Sequence, residues 1–298
     1  MKQTHWHVMG AGAIGCLYAD ALDRGGLQTS LILRHATDQQ SVALIVEREG
    51  AKEQRYLNIA NHQDLEPILH LLVTTKAFDV YAAVSGIAHR LNENSVIVLL
   101  VNGMGLAEQL NATYPHLNLY CATTTHGAYR IAPQHICHAG LGETRIGRQG
   151  LEQPPDWYGL WDDAIENCHW DANINTALWF KLAVNCIVNP LTALHHCPNG
   201  ELATDRSLSD KVAHLCDEVS HICRAAGHAD IADLLPQSVA RVIRQTATNR
   251  SSMLQDVEHG RPTEIDYING FLLQVAEQHG IAAPLNNELI QRVKNHAV

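Results

Sequence analysis

Lys181, Asn185 and Asn189 stand four residues apart in a segment, 179–190, whose other side chains are mostly apolar. A helix turns about 100° per residue, so the three positions drift only about 40° per step and share one face. That face would carry one ammonium and two carboxamides, flanked by Leu, Ala, Val and Ile. An ammonium beside apolar groups is costly unless paired or wetted, and Asn is a poor helix former, so the pattern calls for a reason. A solvated surface lysine is the plain alternative. The chemical reading is a helix face that gives a proton to a substrate oxygen and holds other oxygens with neutral amides.

A second constellation lies near the N-terminus. Gly10-Ala11-Gly12-Ala13-Ile14-Gly15 fits G-x-G-x-x-G, directly after an apolar strand pattern at 5–9 and ahead of a helical pattern at 13–24. In that context the first glycine permits the tight turn, the second lets a pyrophosphate approach the backbone, and the third lets helix and strand pack closely. N–H groups at the helix start then hold the anion, so the chain is expected to bind a dinucleotide. Leu33-Arg34-His35 closes the second strand pattern, and no Asp or Glu stands there. An acidic residue would accept from ribose hydroxyls, whereas a guanidinium suits a 2′-phosphate, so NADP (as NADPH) is favoured over NAD. The alternative leaves Arg34 as an ordinary surface cation. Thr74-Thr75-Lys76-Ala77 and Val101-Asn102-Gly103-Met104-Gly105 also follow strand patterns on the ligand side, and Lys76 and Asn102 are read as ligand contacts rather than turn residues.

The elements that must position these groups fall into two kinds. Over 1–172, strand patterns at 5–9, 29–33, 43–47, 68–74, 95–100, 117–122 and 144–146 alternate with helical ones at 13–24, 78–88 and 106–110. Several strand runs are apolar on both faces, which predicts an α/β, Rossmann-type, doubly wound and mainly parallel sheet. Over 173–298 the pattern becomes an all-helical domain, with amphipathic stretches near 176–189, 207–226, 236–248, 264–279 and 286–296 and no strand after about 170. The polar stretch 171–175 is the expected boundary.

A chain of 298 residues suits two domains of ordinary size. Its 31 acidic against 21 basic residues give a formal charge of −10, which disfavours nucleic acid and anionic membranes as partners and leaves a small molecule. No uninterrupted apolar run reaches membrane-span length, and the first residues lead straight into a strand pattern rather than a signal peptide, so a cytoplasmic protein is expected. The eight cysteines form no C-x-x-C pair and the 19 histidines lack paired ligand spacing, so neither a disulfide framework nor a metal is expected. Monomer and homodimer both remain open.

Taken together, the residues resemble the 2-dehydropantoate 2-reductase (ketopantoate reductase) family across essentially the whole chain. The resemblance rests on the glycine loop, Thr74-Thr75-Lys76-Ala77, Asn102-Gly103-Met104-Gly105, and Lys181-Leu182-Ala183-Val184-Asn185-Cys186 with Asn189-Pro190-Leu191-Thr192-Ala193. It extends through Cys197-Pro198-Asn199-Gly200-Glu201-Leu202, Ser251-Ser252-Met253-Leu254-Gln255-Asp256 and Glu264-Ile265-Asp266-Tyr267-Ile268-Asn269-Gly270. It implies NADPH-dependent reduction of a 2-keto acid, 2-dehydropantoate, to (R)-pantoate on the way to pantothenate and coenzyme A. Carried over to this sequence, it makes Lys181 the proton donor and places Asn102, Asn185, Asn189, Asn199 and Ser252 near substrate. Lys76, Asn102 and Ala128 are implied beside the cofactor, and Glu264 at the cofactor and substrate junction. Glu264 also follows Pro262-Thr263, where an acidic side chain could serve only to cap a helix. Two rival readings are an NADP-linked reductase of a different 2-keto acid and a non-catalytic NADP-sensing protein. The segments 199–200 and 251–253 favour ketopantoate over the first, and the intact set Lys181, Asn185 and Glu264 argues against the second.

Overall fold

The computed structural model describes residues 4–35 and 37–296; the lead-in 1–3 lies outside the described residues. The chain divides into two units, Met1–Val101 with Leu106–Ile174, and Asn102–Gly105 with Asn175–Val298.

In the first unit, β1 (His5–Met9), α1 (Ala13–Arg24), β2 (Gln28–Ile32), β3 (Ser41–Arg48), β4 (Ala51–Ile59), β5 (His70–Val73), α2 (Ala77–Gly86) and β6 (Val96–Leu100) are followed by α3 (Leu106–Thr113) and β7 (Asn118–Thr124). Then come β8 (Gly127–Ala132), β9 (His135–Gly140), β10 (Thr144–Gly147), α4 (Tyr158–Ala164) and β11 (Cys168–Trp170). The strands form one sheet in the order β11-β10-β7-β6-β5-β1-β2-β4-β3-β9-β8. The run β7-β6-β5-β1-β2-β4 is parallel throughout, and antiparallel pairing is confined to β10 with β7, β3 with β4 and β8 with β9. The centre is parallel because its strands, such as β5 and β6, are apolar on both faces and must be covered on both sides. From β1 the chain passes to β2, and after β4 it returns to β5 on the other side of β1. This reversal opens a crevice at the carboxyl ends of β1 and β5, where ligands of such sheets bind.

Four strands and one helix of this unit were not expected. β4 is mostly exposed and rich in charge, so it shows neither alternation nor an apolar run, and it forms only because Glu49 and Gly50, both at positive φ, turn the chain back onto β3. β8 and β9 make a second hairpin and β11 is only three residues long. α4 brings Trp161 against Trp6 and is held by aromatic packing more than by any helical stripe.

The second unit is helical: α5 (Ile174–His195), α6 (Glu201–Thr204), α7 (Arg206–Ala225), α8 (Ala229–Gln245), α9 (Ser252–Glu258), α10 (Ile265–Gln278) and α11 (Pro284–His296). α5 is long and apolar enough to cross a membrane by length and composition, but 72% of its most apolar stretch is buried, as befits a core helix. α8 begins seven residues before Pro236, where the sequence pattern started it, and runs through that proline. Proline removes the N–H that would bond the carbonyl four residues back, that of Ala232. Ser220 Oγ on α7 donates to that carbonyl at 3.2 Å, which lets the helix continue. All eight cysteines are free thiols, six of them buried.

Candidate active site

At the end of β1 the chain must turn sharply into α1. Gly10 does so at φ +105, with its carbonyl accepting from Thr74 Oγ1 at 2.8 Å. The same hydroxyl lies 3.1 Å from the Met9 carbonyl. A Cβ at Gly15 would overlap the Gly10 carbonyl oxygen and Thr74 Oγ1, so only glycine lets α1 start this close to the strand. Gly12 differs: nothing lies within 4 Å of where its Cβ would stand. It is the N-cap of α1, no side chain caps that start, and the first helical bond is Cys16 N to Gly12 O at 2.9 Å. Open space beside an uncapped start of a 12-residue helix, with Ala11, Ala13 and Ile14 adding no polar bulk, fits a dinucleotide pyrophosphate.

Other expected cofactor residues of this unit are placed as follows. Arg34 is 66% exposed, just past β2, and its guanidinium pairs with Asp79 in the first turn of α2. Lys76 is the N-cap residue of α2, three residues past the end of β5. Ala128 lies on β8, at the far edge of the sheet, and packs on the core that α1 covers. Thr74 stands in the Thr74-Thr75-Lys76-Ala77 segment quoted from the sequence, but its bracing of the glycine turn was not expected, since that contact joins residues more than sixty positions apart.

In the second unit Lys181, Asn185 and Asn189 sit on successive turns of α5, with Lys181 and Asn185 half-buried and Asn189 buried. Burial pushes the Lys181 pKa down to about 8, against the opposing pull of the Glu264 carboxylate. Glu264 is 4% exposed and stands at the N-cap of α10, yet its side chain makes no capping bond there. Its Oε2 instead accepts from Asn102 Nδ2 at 3.3 Å. The Glu264 carbonyl receives the N–H groups of Tyr267 at 3.0 Å and Ile268 at 3.1 Å, the first bonds of α10. Asn102 reaches Glu264 because its loop is fastened to α10. Met104 N donates to the Tyr267 carbonyl at 3.1 Å, and Gly103, at φ +86, lies so close that a Cβ would overlap that carbonyl.

Asn199 is buried; its Nδ2 donates to Thr246 Oγ1 at 2.8 Å, its backbone N to the Asn249 carbonyl at 2.9 Å, and its Oδ1 has no protein partner. Ser252 is exposed in the first turn of α9, and its neighbour Ser251 is the residue that caps the helix, accepting from Leu254 N at 3.0 Å and lying 2.7 Å from Thr192 Oγ1. The structure thus gathers Lys181, Glu264 and Asn102 in one cluster, with Asn185 and Asn189 along the same helix. An amine titrating near neutrality beside a carboxylate and an amide can donate a proton to a developing alkoxide and be returned to its charged form. Among the described residues no group of three or more His, Cys, Asp and Glu could hold a metal ion.

A doubly wound sheet with a dinucleotide turn, followed by a helical unit carrying a lysine of lowered pKa beside a buried carboxylate, fits a nicotinamide-dependent oxidoreductase of two-unit build. Residues 6–150 match the family described as ketopantoate reductase PanE/ApbA, and residues 173–297 match its C-terminal part. The chain belongs to this ketopantoate reductase family. A 2-dehydropantoate 2-reductase of Vibrio cholerae is 38% identical over 292 residues, covering 96% of each chain. One from Escherichia coli O157:H7 is 42% identical over 291 residues, covering 96% of this chain and 93% of its own. Of solved structures, a PanE/ApbA family ketopantoate reductase from Ralstonia eutropha JMP134 is similar at a TM-score of 0.87 and 25% identity, covering 99% of this chain and 98% of its own. D-mandelate dehydrogenase with NADH and anilino(oxo)acetate reaches 0.89 at 22% identity, covering 99% of this chain and 98% of its own, a likeness of fold.

Proposed function

We infer that this chain reduces 2-dehydropantoate to (R)-pantoate with NADPH, in the cytoplasm, as a step toward pantothenate and coenzyme A. The observation that carries the reading is Lys181, its pKa lowered to about 8 by burial and set beside Glu264 and Asn102. Residues 1–172 are read as the NADP-binding domain and 173–298 as the helical substrate domain. In this reading the glycine loop holds the pyrophosphate and Arg34 the 2′-phosphate, and Lys76, Asn102, Ala128 and Glu264 are further cofactor contacts.

Bound NADPH supplies the hydride that the keto carbon of the substrate receives. As that carbon is reduced, negative charge builds on its oxygen, and Lys181 Nζ both stabilises the charge and gives up a proton to it. Lys181 is left as a neutral amine and regains its proton from water before the next turnover. Glu264 keeps the ammonium form populated near neutrality, because an opposite charge raises the pKa that burial lowers. Asn185 and Asn189, one and two turns along α5, bind substrate oxygens without adding charge, and Asn199 and Ser252 complete the carboxylate and hydroxyl contacts. The assembly is a monomer or a homodimer.

A panel of 2-keto acids, followed by loss of reduced nicotinamide absorbance, tests the substrate; preference for another keto acid by tenfold or more overturns it. Lys181→Ala should lower kcat by at least about 10³, in the upper range for a positioned acid that also meets developing charge, and leave the NADPH Kd nearly unchanged. Turnover within a few-fold of wild type removes Lys181 as proton donor.

A further inference from the structure

α5 contains a proline, Pro190, and the carbonyl four residues before it is that of Cys186. With no N–H at Pro190 the helix cannot satisfy that oxygen, and an orphaned carbonyl in a core is costly. Asn269 Nδ2, from α10, donates to it at 2.8 Å. The Asn269 side chain is fully buried, and its second N–H goes to Asn286 Oδ1 at 2.8 Å. The orientation of that pair is fixed from outside. Glu218 on α7 accepts from Asn286 Nδ2 at 2.8 Å, from Asn286 N at 2.8 Å and from Leu285 N at 2.9 Å. A carboxylate can only accept, so Asn286 must present its amide nitrogen to Glu218 and its oxygen to Asn269, and Asn269 must then donate twice. Its own Oδ1 is left without a partner, a cost that a merely adequate core amide would avoid.

We propose that Asn269 is a positioning residue for the Lys181 and Glu264 pair, acting as a strut from α10 to the carbonyl that Pro190 leaves open on α5. The spacing supports it. Cys186 is five residues beyond Lys181 on α5, and Asn269 is five beyond Glu264 on α10, so each end of the strut lies about 7.5 Å along its helix from the group it positions. A single buried bond at this level fixes the separation of the two helices where the ammonium and carboxylate face one another. Pro190 is what makes the bond selective, since only the residue four before a proline presents a free carbonyl in mid-helix. A comparable patch occurs at Pro236, where Ser220 serves the Ala232 carbonyl, but that pair joins α7 to α8 and carries neither Lys181 nor Glu264.

The proposal rests on the proton-donor reading of Lys181, and its test has a readout that does not. In protein labelled on lysine side chains, the Lys181 titration midpoint is followed by NMR without substrate, beside kcat, KM and thermal unfolding. Asn269→Ala is expected to move the midpoint away from its wild-type value and to lower kcat tenfold or more with KM changed less than threefold. Ser220→Ala, the control, is expected to lower the unfolding temperature while leaving midpoint and kcat as in wild type. In the double variant Pro190→Ala/Asn269→Ala the backbone N–H regained at position 190 serves the Cys186 carbonyl within the helix, and midpoint and kcat are expected to return to within about threefold of wild type. This double variant also keeps the test open if Asn269→Ala alone fails to fold. If Asn269→Ala lowers only the unfolding temperature, or if the double variant folds and is no closer to wild type than the single one, the strut has no positioning role. A wild-type protein inactive on 2-dehydropantoate overturns the proposed reaction instead, and the NMR arm still decides the strut.

Discussion

Lys181 is governed by two opposing influences, burial that disfavours its charge and Glu264 that favours it, and the balance near 8 gives the reaction a pH signature. With Lys181 as the proposed proton donor, reduction needs the protonated amine, so kcat/KM for the keto acid should be level below that value and fall as pH rises through it. Oxidation of the hydroxy acid needs the neutral amine and should rise over the same interval. Glu264→Gln removes the influence that raises the pKa, so the break in the reduction profile should move to lower pH; a break that stays put would separate Glu264 from Lys181. Arg34 gives a second prediction at this scale. It is exposed and already paired with Asp79, so its interaction with a 2′-phosphate must compete with that carboxylate. Arg34→Ala should weaken NADPH binding at least tenfold more than NADH binding, read as the ratio of the two Kd values. Equal losses would leave Arg34 a surface cation.

Among the elements, the loop Asn102–Gly105 and the short helix α9 show how local backbone chemistry sets the site. Gly103→Ala would put a methyl against the Tyr267 carbonyl at a backbone angle that L-residues avoid, so it should destabilise the protein by about 2 kcal/mol or more and lower activity by displacing Asn102 from Glu264. Unchanged activity in that variant would mean that Asn102 is placed without the latch. The adjacent serines of α9 should separate cleanly. Ser251→Ala loses the helix cap and should cost about 1 kcal/mol of stability in denaturant unfolding, whereas exposed Ser252→Ala should leave stability alone and raise the KM for the keto acid. Which serine caps was not legible in Ser251-Ser252, because both residue types suit the position and only the chain's path chooses between them. The glycine loop was legible, since its spacing encodes a single strand-to-helix turn. β4 and α4 were not: one is a charged strand made by a two-residue turn, the other a helix held by tryptophans.

Over the whole molecule, a lysine pushed from an ordinary 10.5 down to about 8 is a stability liability. The unfolded chain binds the proton up to its higher pKa, so Lys181 lowers stability below pH 8, and that loss fades as pH rises from 8 to 10.5. Lys181→Met should therefore raise stability by about 1–3 kcal/mol at neutral pH, with the advantage shrinking over that window. A Met variant no more stable than wild type near neutral pH would show that water already solvates the ammonium. By itself the sequence determined the doubly wound sheet and the helical unit, the glycine turn, and the shared face of Lys181, Asn185 and Asn189, because each follows from local periodicity and spacing. Tertiary structure decided the partners of those residues: Glu264 turned from its helix toward Asn102, Asp79 on Arg34, Thr74 under the glycine turn, and Asn269 on the carbonyl freed by Pro190. Periodicity tells which way a side chain faces along its own element, but a contact between residues far apart in the chain depends on how separate elements pack.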